Sequence, residues 1–317
     1  MEKQMIWAYL LQLSDHMWAD ADHVSKAWYL PPTPYTPENK VDIPTWDDTV
    51  AFLNRSGFNT VLIDVGDGLQ FETHPEISAP DAWSKEFLQK KLAEMRSLGL
   101  TPLPKLNFST RHSTWLKDYA RMISTEPYYQ VCRDLIREVS EVFGTPELFH
   151  LGLDEENKDL PLLTGVMSVR HEDLFWHDAY LLFDTCEQCC VRPWVWADRY
   201  HSNTAGYAAR MPRSVMQSNW FYGYLRDVPP ENRSKYDWIH TYEQLDALGY
   251  DQIPCCSTVE QPYNPLQTVA HGQEKLDPQH LRGFMVAPWV HTVPKYQFRL
   301  KNDAQKLMDA RRAVYGY

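Results

Sequence analysis

Along the chain, short apolar runs alternate with longer stretches in which apolar residues recur three and four positions apart. The short runs are typical of strands buried on both faces of a parallel sheet. The longer stretches predict amphipathic helices, and several end at a glycine. A regular order of strand and helix predicts parallel strands joined by helical crossovers.

The pattern predicts eight strands and eight helices. The strands are predicted at 6–13, 59–65, 102–107, 147–153, 192–197, 214–219, 252–257 and 283–288. The helices are predicted at 45–57, 83–98, 128–143, 172–189, 205–210, 242–248, 265–275 and 298–314. Eight strand–helix units favour a closed α/β (β/α)8 TIM barrel over an open sheet, and 317 residues suit one barrel domain covering 1–317.

The fourth strand runs directly into three carboxylates, Asp154, Glu155 and Glu156. Charges at the edge of a core are costly unless they are paired, hydrated or used. Acidic residues also suit a helix N-terminus, so the run alone is compatible with a capping role. Because barrels of this kind keep their active sites at the carboxyl ends of the strands, a catalytic acid with a helper is the functional interpretation.

Polar and aromatic residues follow the other predicted strands as well. They are Asp15, His16, Asp64, Asp67, Asn107, Arg111, His112, Trp196, Asp198, Asn219, Trp220, Tyr222, Glu260, Trp289 and His291. Such an acidic and aromatic rim fits a neutral polyhydroxyl ligand, held by carboxylates and stacked on indole rings. A carbohydrate substrate is therefore expected.

The net charge and the cysteines limit the partners and the cellular compartment that we expect. The net charge of −11 argues against nucleic acid or an anionic membrane surface as the main partner. No apolar run is long enough for a transmembrane helix, and the apolar start of the chain fits a first strand better than a signal peptide. The six cysteines include two adjacent pairs, so a cytoplasmic, reduced protein is expected. Neither a metal nor another cofactor is predicted, and nothing indicates the oligomeric state.

The segment His150-x-Gly152-x-Asp154-Glu155 resembles the His-x-Gly-Gly-Asp-Glu motif of family 20 glycoside hydrolases, the β-N-acetylhexosaminidases. The likeness continues in order along most of the barrel. Its further, looser parts are 67–72 with 75–77, Pro104-Lys105-Leu106-Asn107 with His112, Trp196-Ala197-Asp198, Asn219-Trp220 and 283–289. The resemblance implies a barrel hydrolase acting on a terminal hexose or N-acetylhexosamine.

The chain also departs from that family's pattern. Leu153 stands at the second glycine of the motif, and Lys105 and Asn107 stand where the family has acidic residues. The family's strand-one arginine has no counterpart in the segment from Trp7 to Gln12, and no counterpart of its small N-terminal domain is expected. A divergent relative is therefore predicted.

The resemblance implies a route in which the substrate's own 2-acetamido oxygen attacks the anomeric carbon. Glu155 would be the general acid, kept protonated by burial or by the neighbouring Asp154 and Glu156. Asp154 would orient the acetamido group, and Tyr222 or Tyr263 would donate to its oxygen. The remaining expected substrate-binding residues are Asp67, His112, Glu156, Trp196, Asp198, Trp220, Glu260 and Trp289.

Three alternatives stay open from the sequence. One is a retaining glycosidase with Glu155 or Glu156 as acid/base and Glu260 as nucleophile. Another is a metal-dependent sugar isomerase, because mixed carboxylate and imidazole ligands suit transition metals. Its candidate ligands are His16, Asp64, Glu155, Asp198 and His291. The third is a barrel that binds a sugar without hydrolysing it.

Overall fold

A computed structural model describes residues 4–17, 36–39, 41–156, 168–225, 231 and 233–317. Eight strands form one sheet in the order β6-β5-β4-β3-β2-β1-β8-β7, with parallel neighbours throughout. They are β1 Ile6–Gln12, β2 Thr60–Asp64, β3 Thr101–Lys105, β4 Leu148–His150, β5 Arg192–Trp196, β6 Met216–Ser218, β7 Cys255–Cys256 and β8 Gly283–Val286.

The two end strands of this order, β6 and β7, approach each other and nearly close the sheet. The Gln217 amide donates to the Asp251 carbonyl at 3.0 Å, and the Ile253 amide donates to the Gln217 carbonyl at 2.9 Å. A third bond joins the Cys255 amide to the Asn219 carbonyl at 3.0 Å. The predicted (β/α)8 barrel is therefore confirmed.

Helices follow the strands. They are α1 Ile43–Ser56, α2 Lys85–Ser97, α3 Glu126–Val142, α4 Glu172–Gln188, α5 Arg199–Ser202, α6 Thr204–Arg210, α7 Arg233–Ala247, α8 Asn264–Lys275 and α9 Gln297–Tyr315. Helix α1 shows how local sequence sets the bounds, because Asp42 accepts the Thr45 amide at 2.9 Å as its N-cap and Gly57 ends it at φ 99°.

Some elements differ from their predicted bounds. The β7 ladder is two residues long instead of covering 252–257, because Pro254 has no amide hydrogen to donate. Helix α7 begins at Arg233 rather than Tyr242, and α5 precedes the predicted short helix. Two 3₁₀ segments, Thr114–Arg121 and Pro294–Tyr296, were not predicted.

The alternation of side chains along β1 separates the barrel interior from the helical layer. Trp7 packs against Tyr315 of α9 with ring centroids 5.7 Å apart, and the Tyr9 hydroxyl donates to the Leu300 carbonyl at 3.0 Å. The opposite face of the strand, which ends at Gln12, therefore points into the barrel.

Two further observations concern the cysteine thiols and the possibility of a membrane-spanning helix. All six cysteines are free thiols, and four of them are buried. Within the described part of the chain, no helix combines the length and apolar character needed to cross a membrane.

Candidate active site

The loop after β4 has an unusual backbone. Gly152, Leu153 and Glu155 all adopt left-handed φ values, at 72°, 70° and 56°. A Cβ on Gly152 would lie 1.9 Å from Asn107 Oδ1, so only glycine fits at this position. Leu153 takes a conformation that glycine adopts easily, although its side chain is buried. Non-glycine residues in this region cost about 1 kcal/mol or more each, and such strain clusters at functional sites.

Asp154 is buried and bound as a carboxylate. Asn107 Nδ2 donates to its Oδ1 at 2.9 Å, and His112 Nε2 lies 3.3 Å from its Oδ2. Burial alone would raise the pKa of Asp154, but His112, Lys105 and the Asn107 hydrogen bond hold it well below its usual range. Asp154 is therefore an anion throughout the neutral range and can accept a hydrogen bond from a ligand.

Glu155 is the more accessible member of the pair, with 28% of its side chain exposed. Arg111 Nε donates to Glu155 Oε2 at 3.0 Å, and His112 Nε2 lies 3.2 Å from the same oxygen. We expected burial or the neighbouring carboxylates to keep Glu155 protonated. The contacts of this side chain are instead with two cationic groups.

His112 joins the two carboxylates through its Nε2 atom. Burial of the ring favours the neutral form, but Asp154 and Glu155 outweigh it and raise the pKa of His112 to about 9. The ring is therefore an imidazolium at neutral pH, and its Nε2 proton lies between the two acids.

Asp198, just after β5, joins the loop that carries Glu155 to Trp220 on the loop after β6. Its Oδ2 accepts the Glu155 backbone amide at 3.1 Å, and its Oδ1 accepts Trp220 Nε1 at 2.7 Å. Burial and the charges of Asp154 and Glu155 raise the pKa of Asp198 well above its usual value. The two acceptor contacts fix both the left-handed Glu155 backbone and the Trp220 ring.

Two of the expected substrate-binding carboxylates face protein groups. Arg170 binds both oxygens of Glu156, and this ion pair is buried. Asp67 is completely buried, where it accepts from Ser14 Oγ at 2.6 Å and contacts His16 and Lys117. Their oxygens are occupied by protein groups, so we propose no direct substrate contact for either residue.

Four aromatic residues expected at the site lie together. Trp196 lies 4.5 Å from His150 and 6.0 Å from Trp289, measured between ring centroids. Trp220 stacks on Tyr222 at 5.1 Å, and Trp289 Nε1 donates to the Tyr222 hydroxyl at 3.0 Å. The end of β5 and the loops after β6 and β8 thus form a continuous aromatic wall.

Glu260 and Tyr263 lie on the loop after β7 and are exposed. A Cβ on Gly223 would lie 3.4 Å from Glu260 Oε2, which places this carboxylate beside the loop after β6. Of the two tyrosines considered as donors to an acetamido oxygen, Tyr222 is in the aromatic wall.

The residues considered as metal ligands contact other protein groups. His16 contacts Asp67, Asp64 is paired with Lys105, and His291 Nδ1 lies 3.4 Å from Asp15 Oδ2. Across residues 4–156 and 168–317, as far as the structure describes them, no three His, Cys, Asp or Glu side chains are arranged to hold a metal ion.

Sequence reasoning named Lys105 only as a departure from the family pattern, without its ion pair, and did not identify Arg170. Lys105 ends β3 beside Asp64, which ends β2, and the strand register pairs these two positions. Adjacent strand ends of opposite charge were the signal that could have revealed this pair. Arg170 lies far from Glu156 in sequence and also contacts Asp178 at 3.2 Å, so no local pattern indicated it.

Comparisons with solved structures give the same fold. The chain superposes on the β-N-acetylhexosaminidase from Bacteroides fragilis NCTC 9343 with a TM-score of 0.63 and 11% identity, covering 95% of this chain and 65% of that one. For the family 20 β-N-acetylhexosaminidase from Streptomyces coelicolor A3(2), the TM-score is 0.62 and the identity 11%, with 96% of this chain and 64% of that one covered. For Dispersin B, the TM-score is 0.59 and the identity 12%, with 97% of this chain and 99% of that one covered.

The chain has the barrel fold of the family 20 glycoside hydrolases. It spans about two thirds of the length of the first two of these structures, at 65% and 64%. No family model and no curated protein sequence matches it. The predicted resemblance is confirmed as a likeness of fold at low identity, and the chemistry has to be argued from the site itself.

Proposed function

We propose that this protein is a glycoside hydrolase acting on a terminal N-acetylhexosamine or hexose. The observation that carries the proposal is the pair Asp154 and Glu155 at the end of β4, both in contact with the His112 imidazolium. The aromatic wall beside this pair suits the apolar face of a sugar ring. The six free thiols support a reducing, cytoplasmic setting.

The two acids suit different roles in a substrate-assisted reaction. Asp154, held as an anion, would accept the acetamido N–H and stabilise the positive charge that develops as the acetamido oxygen attacks the anomeric carbon. Glu155, the more exposed acid, would give a proton to the leaving oxygen. Asp198 would hold the Glu155 backbone and Trp220 in place for this step.

The cationic contacts of Glu155 suggest where its proton is stored. His112 Nε2 lies 3.2 Å from Glu155 Oε2, which is within reach for proton transfer. The Nε2 proton would move to Glu155 as the glycosidic oxygen approaches, and from Glu155 to that oxygen as the bond to the anomeric carbon breaks. Water would then attack the anomeric carbon and break its bond to the acetamido oxygen, and the proton that water loses would pass through Glu155 back to His112 Nε2.

Hydrolysis of paired nitrophenyl glycosides, with and without the 2-acetamido group, tests the proposal. We expect the acetamido sugars to be preferred, Glu155→Gln to lower kcat/KM at least about 100-fold, and Asp154→Asn to lower it for acetamido substrates above all. Glu187→Gln, an exposed acid on α4, is the matched control, and thermal melts check that each variant is folded.

Other outcomes favour the other readings. Wild-type rates on plain hexosides, lost in Glu260→Gln as fully as in Glu155→Gln, would support the retaining pair. Loss of activity with a chelator would support a metal-dependent reaction.

A sugar-binding barrel without hydrolysis is the second candidate. The ion pair between Arg111 Nε and Glu155 Oε2 at 3.0 Å favours it, because a carboxylate held by two cations is a better hydrogen-bond acceptor than proton donor. No turnover of any nitrophenyl glycoside by the folded wild type, together with sugar binding measured by calorimetry, would establish this candidate and refute the hydrolase.

A further inference from the structure

Two tyrosines stand exposed where the loops after β6 and β7 meet. The exposed fraction is 50% for Tyr224 and 60% for Tyr263. Single exposed aromatic residues are common on soluble proteins and need no explanation. Here two of them lie on adjoining loops at the face of the barrel where the strands end, and the exposed Glu260 lies on the second of these loops.

A buried asparagine fixes the two loops to each other. Asn264 Nδ2 donates to the carbonyls of Phe221 and Gly223 at 2.7 and 2.9 Å, and its Oδ1 accepts the Ser257 amide at 3.1 Å. The Leu225 amide donates to Gln267 Oε1 at 3.0 Å, which adds a second link. Tyr224 follows Gly223 and Tyr263 precedes Asn264, so the two tyrosines are next to the residues that this hydrogen bond joins.

The exposed patch of Tyr224, Tyr263 and Glu260 adjoins the candidate active site. The segment that carries Tyr224 begins with Trp220, which is bound to Asp198, and continues through Tyr222, which stacks on Trp220. Glu260 lies beside Gly223 in the same segment. A ligand that extends beyond the aromatic wall along this loop would therefore meet the two tyrosines and the carboxylate.

We propose that Tyr224, Tyr263 and Glu260 form a second sugar subsite, for the pyranose ring that adjoins the ring held in the cleft. Aromatic rings held by a rigid backbone can stack on the apolar face of a pyranose without losing much conformational freedom. Glu260 can only accept hydrogen bonds as a carboxylate, so it selects a ring with free hydroxyl groups and disfavours an anionic one.

This inference rests on the proposed function and names its substrate class, a neutral oligosaccharide rather than a simple glycoside. The test compares a β-1,4-linked N-acetylglucosamine trisaccharide with the methyl glycoside of the same sugar, whose leaving group is too small to reach the tyrosines. We expect Tyr263→Ala and Tyr224→Ala each to lower the ratio of kcat/KM for trisaccharide over methyl glycoside by about tenfold.

Tyr317→Ala is the matched control. Tyr317 is 59% exposed, nearly the same as Tyr263, but it follows α9, at the opposite end of the barrel beside Trp7 and Arg311. Its removal should leave the ratio unchanged. In Glu260→Gln, a trisaccharide whose middle ring is a uronic acid should become a better substrate relative to the neutral trisaccharide.

The possible failures are distinguishable. Hydrolysis by the wild type with an unchanged ratio in both tyrosine variants would overturn the subsite and leave the proposed function intact. If the wild type hydrolyses neither compound, the nitrophenyl glycosides decide whether the hydrolase proposal fails, and calorimetric binding of the trisaccharide tests the subsite by itself. A loss of affinity of about tenfold in Tyr263→Ala but not in Tyr317→Ala would support it, and equal affinities would refute it.

Discussion

One imidazole holds together the two acids at the end of β4. His112 is only 3% exposed, yet it carries a proton at neutral pH because Asp154 and Glu155 lie within 3.3 Å and 3.2 Å of its Nε2. Without this cation, two buried or partly buried carboxylates would repel each other across a short distance. The charge on the His112 ring therefore stabilises the arrangement of the two acids.

This charge predicts a pH dependence of stability. The pKa of His112 rises from 6.5 to about 9 on folding, so the folded state binds the proton more tightly than the unfolded state. The stabilisation is fully present below pH 6.5 and is lost as the pH rises through 9. The rise in the pKa of His112 corresponds to about 3 kcal/mol, which should appear as a fall in the free energy of unfolding between pH 6 and 9.5.

Urea unfolding across this pH range measures the effect, and an NMR titration of the histidine ring measures the His112 pKa directly. His280→Asn is the control, because His280 is paired with Asp246 at the surface and its loss should leave the slope unchanged. A His112 ring that titrates near 6.5, or a flat stability profile, would show that the ring does not neutralise the two acids.

The sequence located the acids but not their partners. Asp154, Glu155 and Glu156 are consecutive, yet their side chains bind Asn107, Arg111 and Arg170 respectively. Residue spacing could not predict this divergence, because it depends on the left-handed turn in the loop and on cations distant in sequence. Fold-level reasoning predicted that the aromatic residues would gather, because it needed only their positions at the strand ends.

The conformation of the loop after β4 also depends on contacts with a neighbouring strand. Gly152 lets the chain pass against Asn107, and its amide donates to His150 Nδ1 at 3.0 Å. Asn107 in turn donates to Asp154. The loop conformation, the β3 end and Asp154 are therefore one packed unit, and a side chain at position 152 would disturb all three.

Gly152→Ala should destabilise the protein by several kcal/mol and displace Asn107 from Asp154. A left-handed alanine costs about 1–2 kcal/mol, and overpacking adds about 1–3 kcal/mol. Gly99→Ala separates the two terms, because Gly99 has φ 80° with nothing within 4 Å of an added Cβ. Urea midpoints of the two variants should differ clearly, and equal midpoints would show that the contact with Asn107 relaxes without cost.

Helices and strands were predicted well where the spacing of apolar residues agrees with the residues that begin and end the element. Helix α1, with its Asp42 cap and terminal Gly57, is an example. Prediction was poorer where tertiary contacts decide. Strand β7 is short because of Pro254, although the apolar run continues around it. The 3₁₀ segment from Thr114 contains Lys117 at φ 52°, and its ammonium group binds the buried Asp67, a contact that no local pattern reveals.

For the whole molecule, the count of strand–helix units was enough to predict a barrel, because parallel strands need crossovers and eight strands can close on themselves. The count did not predict how evenly the barrel closes. Strands β1 and β2 pair over five positions, whereas β6 and β7 meet only through isolated bridges. The structure therefore has a short seam between β6 and β7, beside the aromatic wall and the proposed second subsite.

We expect the hydrogen bonds of this seam to open more readily than those of the β1–β2–β3 region. In the seam each bond has few neighbouring ladder bonds that must break together with it. The amides of Ile253 and Cys255, bonded at 2.9 and 3.0 Å, belong to the seam, and those of Leu13 and Val65, both at 2.9 Å, belong to the reference region. All four residues are almost completely buried, so bond length and burial are matched.

Native-state hydrogen exchange should show the seam amides exchanging at least about tenfold faster, and equal protection would mean that the barrel opens as one cooperative unit. If the seam does open first, bound trisaccharide should slow its exchange selectively, because the loops that carry Tyr224 and Tyr263 begin at these two strands.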